Sequence, residues 1–172
     1  VFAGGGIVAG LPYDCAENLS DALQCMSAGH PLVGLPTGPA GGSTVNVPLP
    51  PGFCLFFPLL CPPGGETLTA EDWGDRVRQA SDYKGPFPKV SVWHGSADTT
   101  VNPVNATEEV EQWTDVHGIK AVPAVNDTVK GFPHRVFKDA SGAAVVESFD
   151  ITGMSHGVPV YLYEWTHALD GP

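Results

Sequence analysis

Two residues of this 172-residue chain have the types and placement of an acid and the base that it orients, Asp98 and His156. Asp98 lies four residues beyond His94, where the strand-like run Val90–His94 ends at a glycine. His156 follows the apolar stretch Ala144–Ile151 in a glycine-flanked turn, Gly153-Met154-Ser155-His156-Gly157. An acid and then a histidine, each just past a strand, are the last two members of a nucleophilic Ser…Asp…His set. In such a set the carboxylate fixes the imidazole tautomer and stabilises the imidazolium, while the ring takes the serine's proton. Glycines beside His156 leave its ring room to approach a substrate. The first member is missing, because the chain contains no Gly-x-Ser-x-Gly. Ser27, in "CMSAGH", keeps the chain order and is the alternative nucleophile within these residues. Its context is wrong for that role. An elbow needs a strand before the serine and a helix after it, whereas "NLSDALQC" reads as helix or loop and Pro31 blocks a following helix. Ser155 reads as a turn residue.

The elements that must hold Asp98 and His156 can be read along the chain. Residues 5–11 suggest a short buried strand, Ile7 and Val8 among small residues, stopped at Leu11-Pro12. Residues 16–26 can form a short helix. From Gly29 to Gly65 proline and glycine are dense enough to exclude regular elements, which predicts a long apolar excursion, lid-like or ill-ordered and exposed. Order returns with "TLTAEDWGDRVRQASDY", where Thr69 and Asp72 form an acidic capping box and Trp73, Val77 and Ala80 mark one face. "PKVSVWHG" is a strand ended by Gly95. Pro103 to Val116 is a second helix, with Val104, Val110, Trp113 and Val116 packing together and Gly118 just past its end. "HRVFKDASGAAVVESFDI" is a hairpin around Ser141-Gly142. Strand, helix, strand, helix, strands is the order of an α/β layered sheet.

Bulk composition narrows the classes of partner. Eight basic and nineteen acidic residues give a net charge of −11, which disfavours nucleic acid and anionic membrane surfaces. No apolar run is long enough for a spanning helix, and "VFAGGGIVAG" lacks the basic start of a signal peptide. The cysteines at 15, 25, 54 and 61 make an even set without a zinc spacing, consistent with two local disulfides and export. Sequons at Asn18, Asn105 and Asn126 fit export but are common by chance.

Four stretches, "GLPYDCA", "WGDRVRQAS", "YKGPFPKVSVWHGSADTTVNPVNATEEVEQWTDVHGI" and "SFDITGMSHGVPV", resemble the polyhydroxybutyrate depolymerase family of esterases. That family groups secreted α/β-hydrolases with feruloyl and acetylxylan esterase relatives. The resemblance covers roughly residues 1–28 and 66–160. It implies a partial α/β-hydrolase fold in one incomplete domain over residues 1–172, with an insertion at 29–65. It implies Asp98 as triad acid, His156 as triad base and a Cys15–Cys25 disulfide; Cys54 and Cys61 have no counterpart in it. The family's serine elbow and oxyanion loop would lie upstream of Val1, on a complementing N-terminal part, so the chain alone is expected to be inactive. The implied partner is an ester substrate, a polyester or an acylated polysaccharide, and neither a cofactor nor a metal is implied. The rival reading is a non-catalytic binding domain in which Asp98 and His156 are relics. Contact between Asp98 and His156 Nδ1 discriminates the two.

The remaining polar residues have plainer readings. His94 is expected to fix the turn that aims Asp98, and His117 to complement a helix dipole. His30, His134 and His167 are expected on the surface, and Trp73, Trp93 and Trp113 in packing. Glu108, Glu109 and Glu111 read as a solvated helix start. "GGGIVAG" fails as a phosphate loop, because its strand-like residues follow the glycines and Pro12 blocks a helix.

Overall fold

A computed structural model describes residues 3–27, 32–36, 44–48 and 68–159. In chain order the elements are β1 (Gly4–Val8), α1 (Leu19–Met26), β2 (Leu32–Pro36), β3 (Thr44–Pro48) and α2 (Ala70–Gln79). There follow β4 (Lys89–Gly95), α3 (Val104–Val116), β5 (Val125–Val129), β6 (Phe132–Lys138) and β7 (Ala144–Ile151). Five strands form one mixed sheet in the order β1-β4-β7-β6-β5. β1, β4 and β7 run parallel, and β6 and β5 continue the sheet antiparallel.

The helices start where short polar side chains can accept from free amides. Asn18 caps α1 by accepting from the Asp21 amide at 3.1 Å, and Thr69 caps α2 by accepting from the Asp72 amide at 3.2 Å. The Thr69 hydroxyl in turn donates to the Asp72 carboxylate at 2.6 Å, an acidic variant of the capping box. α3 ends at His117, and Gly118 takes the left-handed conformation that closes the last turn, at φ 69°. β4, β7 and β6 supply two apolar clusters. Val90, Val92, Phe137, Val145 and Val146 pack with Val110 of α3, while Trp93, Phe149 and Ile151 form the other. A third cluster joins Trp73 of α2 to the Cys15–Cys25 disulfide, which ties the start of α1's loop to its last turn.

Several expectations need correction. The first strand is shorter than residues 5–11 and is not buried: β1 is an edge of the sheet, with Gly4 to Gly6 exposed. Three glycines carry no side chain to bury, so the strand is held by its ladder to β4 and by Ile7 and Val8, which pack against the two sheet clusters. The excursion at 29–65 is not free of regular structure, since β2 and β3 pair antiparallel within it. Val33, Val45 and Val47 are β-branched residue types that favour extended backbone, a signal that the surrounding prolines obscure in the sequence. The rest of that excursion, including Cys54 and Cys61, lies outside the described residues, so its lid-like reading has no structural account. β5 was not foreseen. It joins β6 through Lys130-Gly131, both at positive φ (51° and 89°), as a tight hairpin requires.

Candidate active site

Asp98 and His156 come together because the strands that carry them are neighbours. β4 and β7 pair in parallel, with Gly95 beside Ile151, so the loops after both strands leave the sheet at one edge. Backbone bonds lace those loops together. The Ser96 amide donates to the Ile151 carbonyl at 3.2 Å, and the Ala97 amide to the Met154 carbonyl at 3.0 Å. The Gly153 amide donates to the Ser96 hydroxyl at 2.9 Å. Gly95 permits this approach, because a Cβ there would run into the Met154 carbonyl.

Within this frame His156 Nδ1 lies 2.9 Å from Asp98 Oδ2. Oδ1 of Asp98 accepts the amides of Thr100 and Val101 at 2.8 and 2.9 Å, which locks the carboxylate in a turn of its own making. The Asp98 side chain is fully buried, whereas that of His156 is 44% exposed. Burial alone would raise the Asp98 pKa. The amides of Val101 and Thr100 and the His156 ring together outweigh it and hold the group below the ordinary carboxylate range. An ionised carboxylate accepts only, so Nδ1 of His156 carries the proton and a neutral ring presents a bare Nε2. That is the tautomer a general base needs.

His94 braces the same loop, as expected from the sequence. Its buried ring lies with Nε2 3.0 Å from the Val101 carbonyl and 3.4 Å from Asp98 Oδ2. The loop also touches α1, the Asn102 amide donating to the Met26 carbonyl at 2.7 Å. Ser27, the next residue, is the C-cap of α1 and does not follow a strand. Among the described residues no hydrogen bond joins it to His156. Ser155 lies in the β7 loop beside His156.

Other polar residues depart from their sequence reading. The start of α3 is not solvated on all sides. Glu108 is buried and accepts from Trp73 Nε1 at 2.6 Å, and Glu109 is fully buried with neither oxygen partnered among the described residues. Burial pushes the Glu109 carboxyl up to about 8. The cause is α2 and the loop after β1, both packed on this face: Gln112, one turn on, exchanges hydrogen bonds with the Tyr13 backbone and donates to the Trp73 carbonyl. Asn105 is likewise buried, so the sequon there is closed off in the fold. His134 is not a surface residue; it is 6% exposed, between Asp127 at 2.8 Å and Glu147 at 3.4 Å. His117 is the C-cap residue of α3, but its ring turns away to donate through Nε2 to the Pro88 carbonyl at 3.0 Å and burial lowers its pKa, so the ring is not held as a cation for the dipole. His30 and His167 lie outside the described residues. Trp73 and Trp93 are buried in packing, as expected. Among the described residues no group of three or more His, Cys, Asp or Glu could hold a metal.

This arrangement of sheet and loops has a known counterpart. The fold is shared in part with an acetyl xylan esterase from Aspergillus awamori, at a TM-score of 0.53 and 24% identity over 61% of this chain and 38% of that one. In sequence the chain is homologous to part of poly(3-hydroxyalkanoate) depolymerase C of Paucimonas lemoignei, 42% identical over 161 residues, 93% of this chain and 30% of the relative. An acetylxylan esterase of Coprinopsis cinerea is 38% identical over 106 residues, 60% of this chain and 28% of the relative. Feruloyl esterase B of Talaromyces stipitatus is 25% identical over 161 residues, covering 92% and 36%. The chain therefore spans about a third of the length of these curated relatives. No family model matches it.

Proposed function

We propose that this chain supplies the acid and base of a secreted serine esterase of α/β-hydrolase type. The serine and the oxyanion donors then lie in sequence outside these 172 residues. The observation that carries this reading is the 2.9 Å contact between a buried, ionised Asp98 and an exposed His156. In the reaction, His156 Nε2 takes the proton of the serine as its oxygen attacks the ester carbonyl. Asp98 steadies the resulting imidazolium. The same nitrogen then protonates the departing alcohol, leaving an acyl-enzyme that water clears by the reverse proton path.

The relatives' names support carboxylic esters as the substrate class, polyhydroxyalkanoate or acylated plant polysaccharide. A disulfide between Cys15 and Cys25 supports an oxidising, extracellular setting. Among the described residues no helix is long and apolar enough to cross a membrane.

Hydrolysis of p-nitrophenyl acetate tests the proposal, by this chain alone and joined to an upstream segment bearing Gly-x-Ser-x-Gly. The chain alone should not exceed the buffer rate. The extended protein should turn over, and lose about 10⁶-fold in kcat on His156→Ala. Robust turnover by the chain alone that disappears in Ser27→Ala would overturn the proposal.

A further inference from the structure

Behind Asp98, on the face of the sheet that α3 covers, lies a second polar site. His94 and Asp150 are register partners on β4 and β7, so their Cα atoms lie one strand spacing apart, about 4.8 Å. Ser148 precedes Asp150 by two residues on β7 and so shares its face of the sheet. All three line a partly open cavity of about 440 Å³, which Pro103, Ala106 and Val110 of the α3 region and Arg135 of β6 also line. Three atoms in this set are buried with no hydrogen-bond partner among the described residues: His94 Nδ1, Ser148 Oγ and Asp150 Oδ1. The residues carrying the first two are only 3% and 8% exposed.

The hydrogen-bond chemistry of the three atoms is complementary to one kind of group. His94 Nε2 faces only acceptors, the Val101 carbonyl and Asp98, so it carries the ring proton. In the singly protonated ring Nδ1 is then an acceptor, as a carboxylate oxygen of Asp150 is, while the Ser148 hydroxyl can donate. Buried polar atoms are costly to leave unpaired. We propose that His94, Ser148 and Asp150 form a binding site for a small hydroxyl-bearing molecule. Its hydroxyl donates to His94 Nδ1 or Asp150 and accepts from Ser148. The hydroxyl comes from water or from a short alcohol, whose alkyl body the Ala106 and Val110 wall would accept. By holding Nδ1, the bound hydroxyl keeps Nε2–H on the Val101 carbonyl and Asp98, which makes His94 a positioning residue for the acid. The site stands whether or not the chain takes part in ester hydrolysis.

Long-range ¹H–¹⁵N NMR on the full chain with ¹⁵N-labelled histidine, combined with NOEs from bound hydroxyls, tests the site. His94 should be the Nε2–H tautomer, its Nδ1 resonance displaced as for a hydrogen-bond acceptor, with NOEs to a long-lived hydroxyl. Ser148→Val, which puts a methyl in the hydroxyl's place, should move Nδ1 toward a bare ring nitrogen and remove those NOEs. Ser148→Thr should preserve both. Titrated 1-propanol separates the sources: NOEs from its methyl to Ala106 and Val110 mean an alcohol enters, and water NOEs alone mean water is the occupant. An Nδ1–H or doubly protonated His94, or an absence of any bound-hydroxyl NOE in the unsubstituted chain, overturns the proposal, and so does an Nδ1 resonance unchanged in a folded Ser148→Val. His156 reports in the same spectrum, so loss of its Asp98 contact would count against the esterase reading and leave the His94 result standing.

Discussion

Two histidines of this chain each hold a carboxylate through Nδ1 at nearly equal distance, His156 with Asp98 at 2.9 Å and His134 with Asp127 at 2.8 Å. Their burial is inverted. In the first pair the acid is fully buried and the histidine 44% exposed; in the second the histidine is 7% exposed and the acid 53%. The remaining ring nitrogen differs accordingly. Nε2 of His134 faces Glu147 at 3.4 Å, and its ring stacks on Phe149 at 4.4 Å, whereas the His156 side chain opens to solvent from a loop. A histidine–carboxylate distance therefore says little about chemistry. What matters is which partner the fold desolvates and whether the second nitrogen is left for something else.

The sharpest break between the pairs is expected from removing each acid's charge. Asp98→Asn keeps an oxygen for the Thr100 and Val101 amides but turns an amide N–H₂ toward His156. Nδ1 must then accept, and Nε2 carries the proton, which is the wrong tautomer for a base. In an extended, active protein kcat should fall about 10⁴-fold. A second readout follows from the depressed pKa of Asp98. A group whose folded pKa is lowered contributes stability above its unfolded value and loses it as pH falls through the folded one. Urea midpoints of the unsubstituted chain should therefore drop below about pH 4, and Asp98→Asn should flatten that acid limb. A kcat unchanged by Asp98→Asn would remove the distinction between the pairs.

Glu109 shows what a buried acid does without a histidine. Its carboxyl is pushed up to about 8 by burial, with no partner for either oxygen among the described residues. The folded state then keeps a proton that the unfolded chain has released, so stability falls as pH rises from about 4.5 toward 8 and levels off above. The slope has an upper limit of about 1.4 kcal/mol per pH unit. Glu109→Gln keeps the shape and removes the charge, so it should abolish this slope and unfold at higher urea than the unsubstituted chain at pH 8. Equal midpoints at pH 5 and pH 8 in the unsubstituted chain would contradict the assignment.

The contrast among these acids also marks what was legible in the sequence. The contact between Asp98 and His156 was legible because each follows a strand and because their order along the chain matches a known arrangement of roles. The strands β4 and β7, the helices α2 and α3 and the Ser141-Gly142 hairpin were legible from periodicity, caps and turn residues. Glu109 and His134 were not. A charged residue near a helix start reads as solvated until the helix packed on that face, here α2, is known. His134 alternates with Arg135 and Val136 in a strand whose inward face depends on its register with β7, and register is a tertiary fact. β5 was hidden because "VNDTV" is polar, as an edge strand with an exposed centre should be.

His134 should matter to stability where, in the proposed esterase, His156 matters to reaction. His134→Ala removes a ring that stacks on Phe149, itself stacked on Trp93 at 3.8 Å, and leaves buried Glu147 without its neighbour. A buried acceptor deprived of its partner costs about 1–3 kcal/mol. The urea midpoint should fall accordingly, with kcat of an extended, active protein within about threefold of the unsubstituted value under native conditions. A large loss of kcat with an unchanged midpoint would assign His134 to the reaction and reverse the comparison.

The smallest effect should come from the carboxylate that looks most like Asp98 on distance alone. Asp127 lies on the edge strand β5 with half its side chain in water, so its attraction to His134 is screened and its removal exposes little that was not already solvated. Asp127→Asn retains an oxygen for His134 Nδ1–H and should cost less than about 1 kcal/mol in urea unfolding, with no change in kcat. The same substitution chemistry at Asp98 is expected to cost four orders of magnitude in rate. The two Asn variants, compared in one assay, match the histidine atom, the distance and the replacement, and differ in how far the acid is desolvated and in how open the histidine is to solvent.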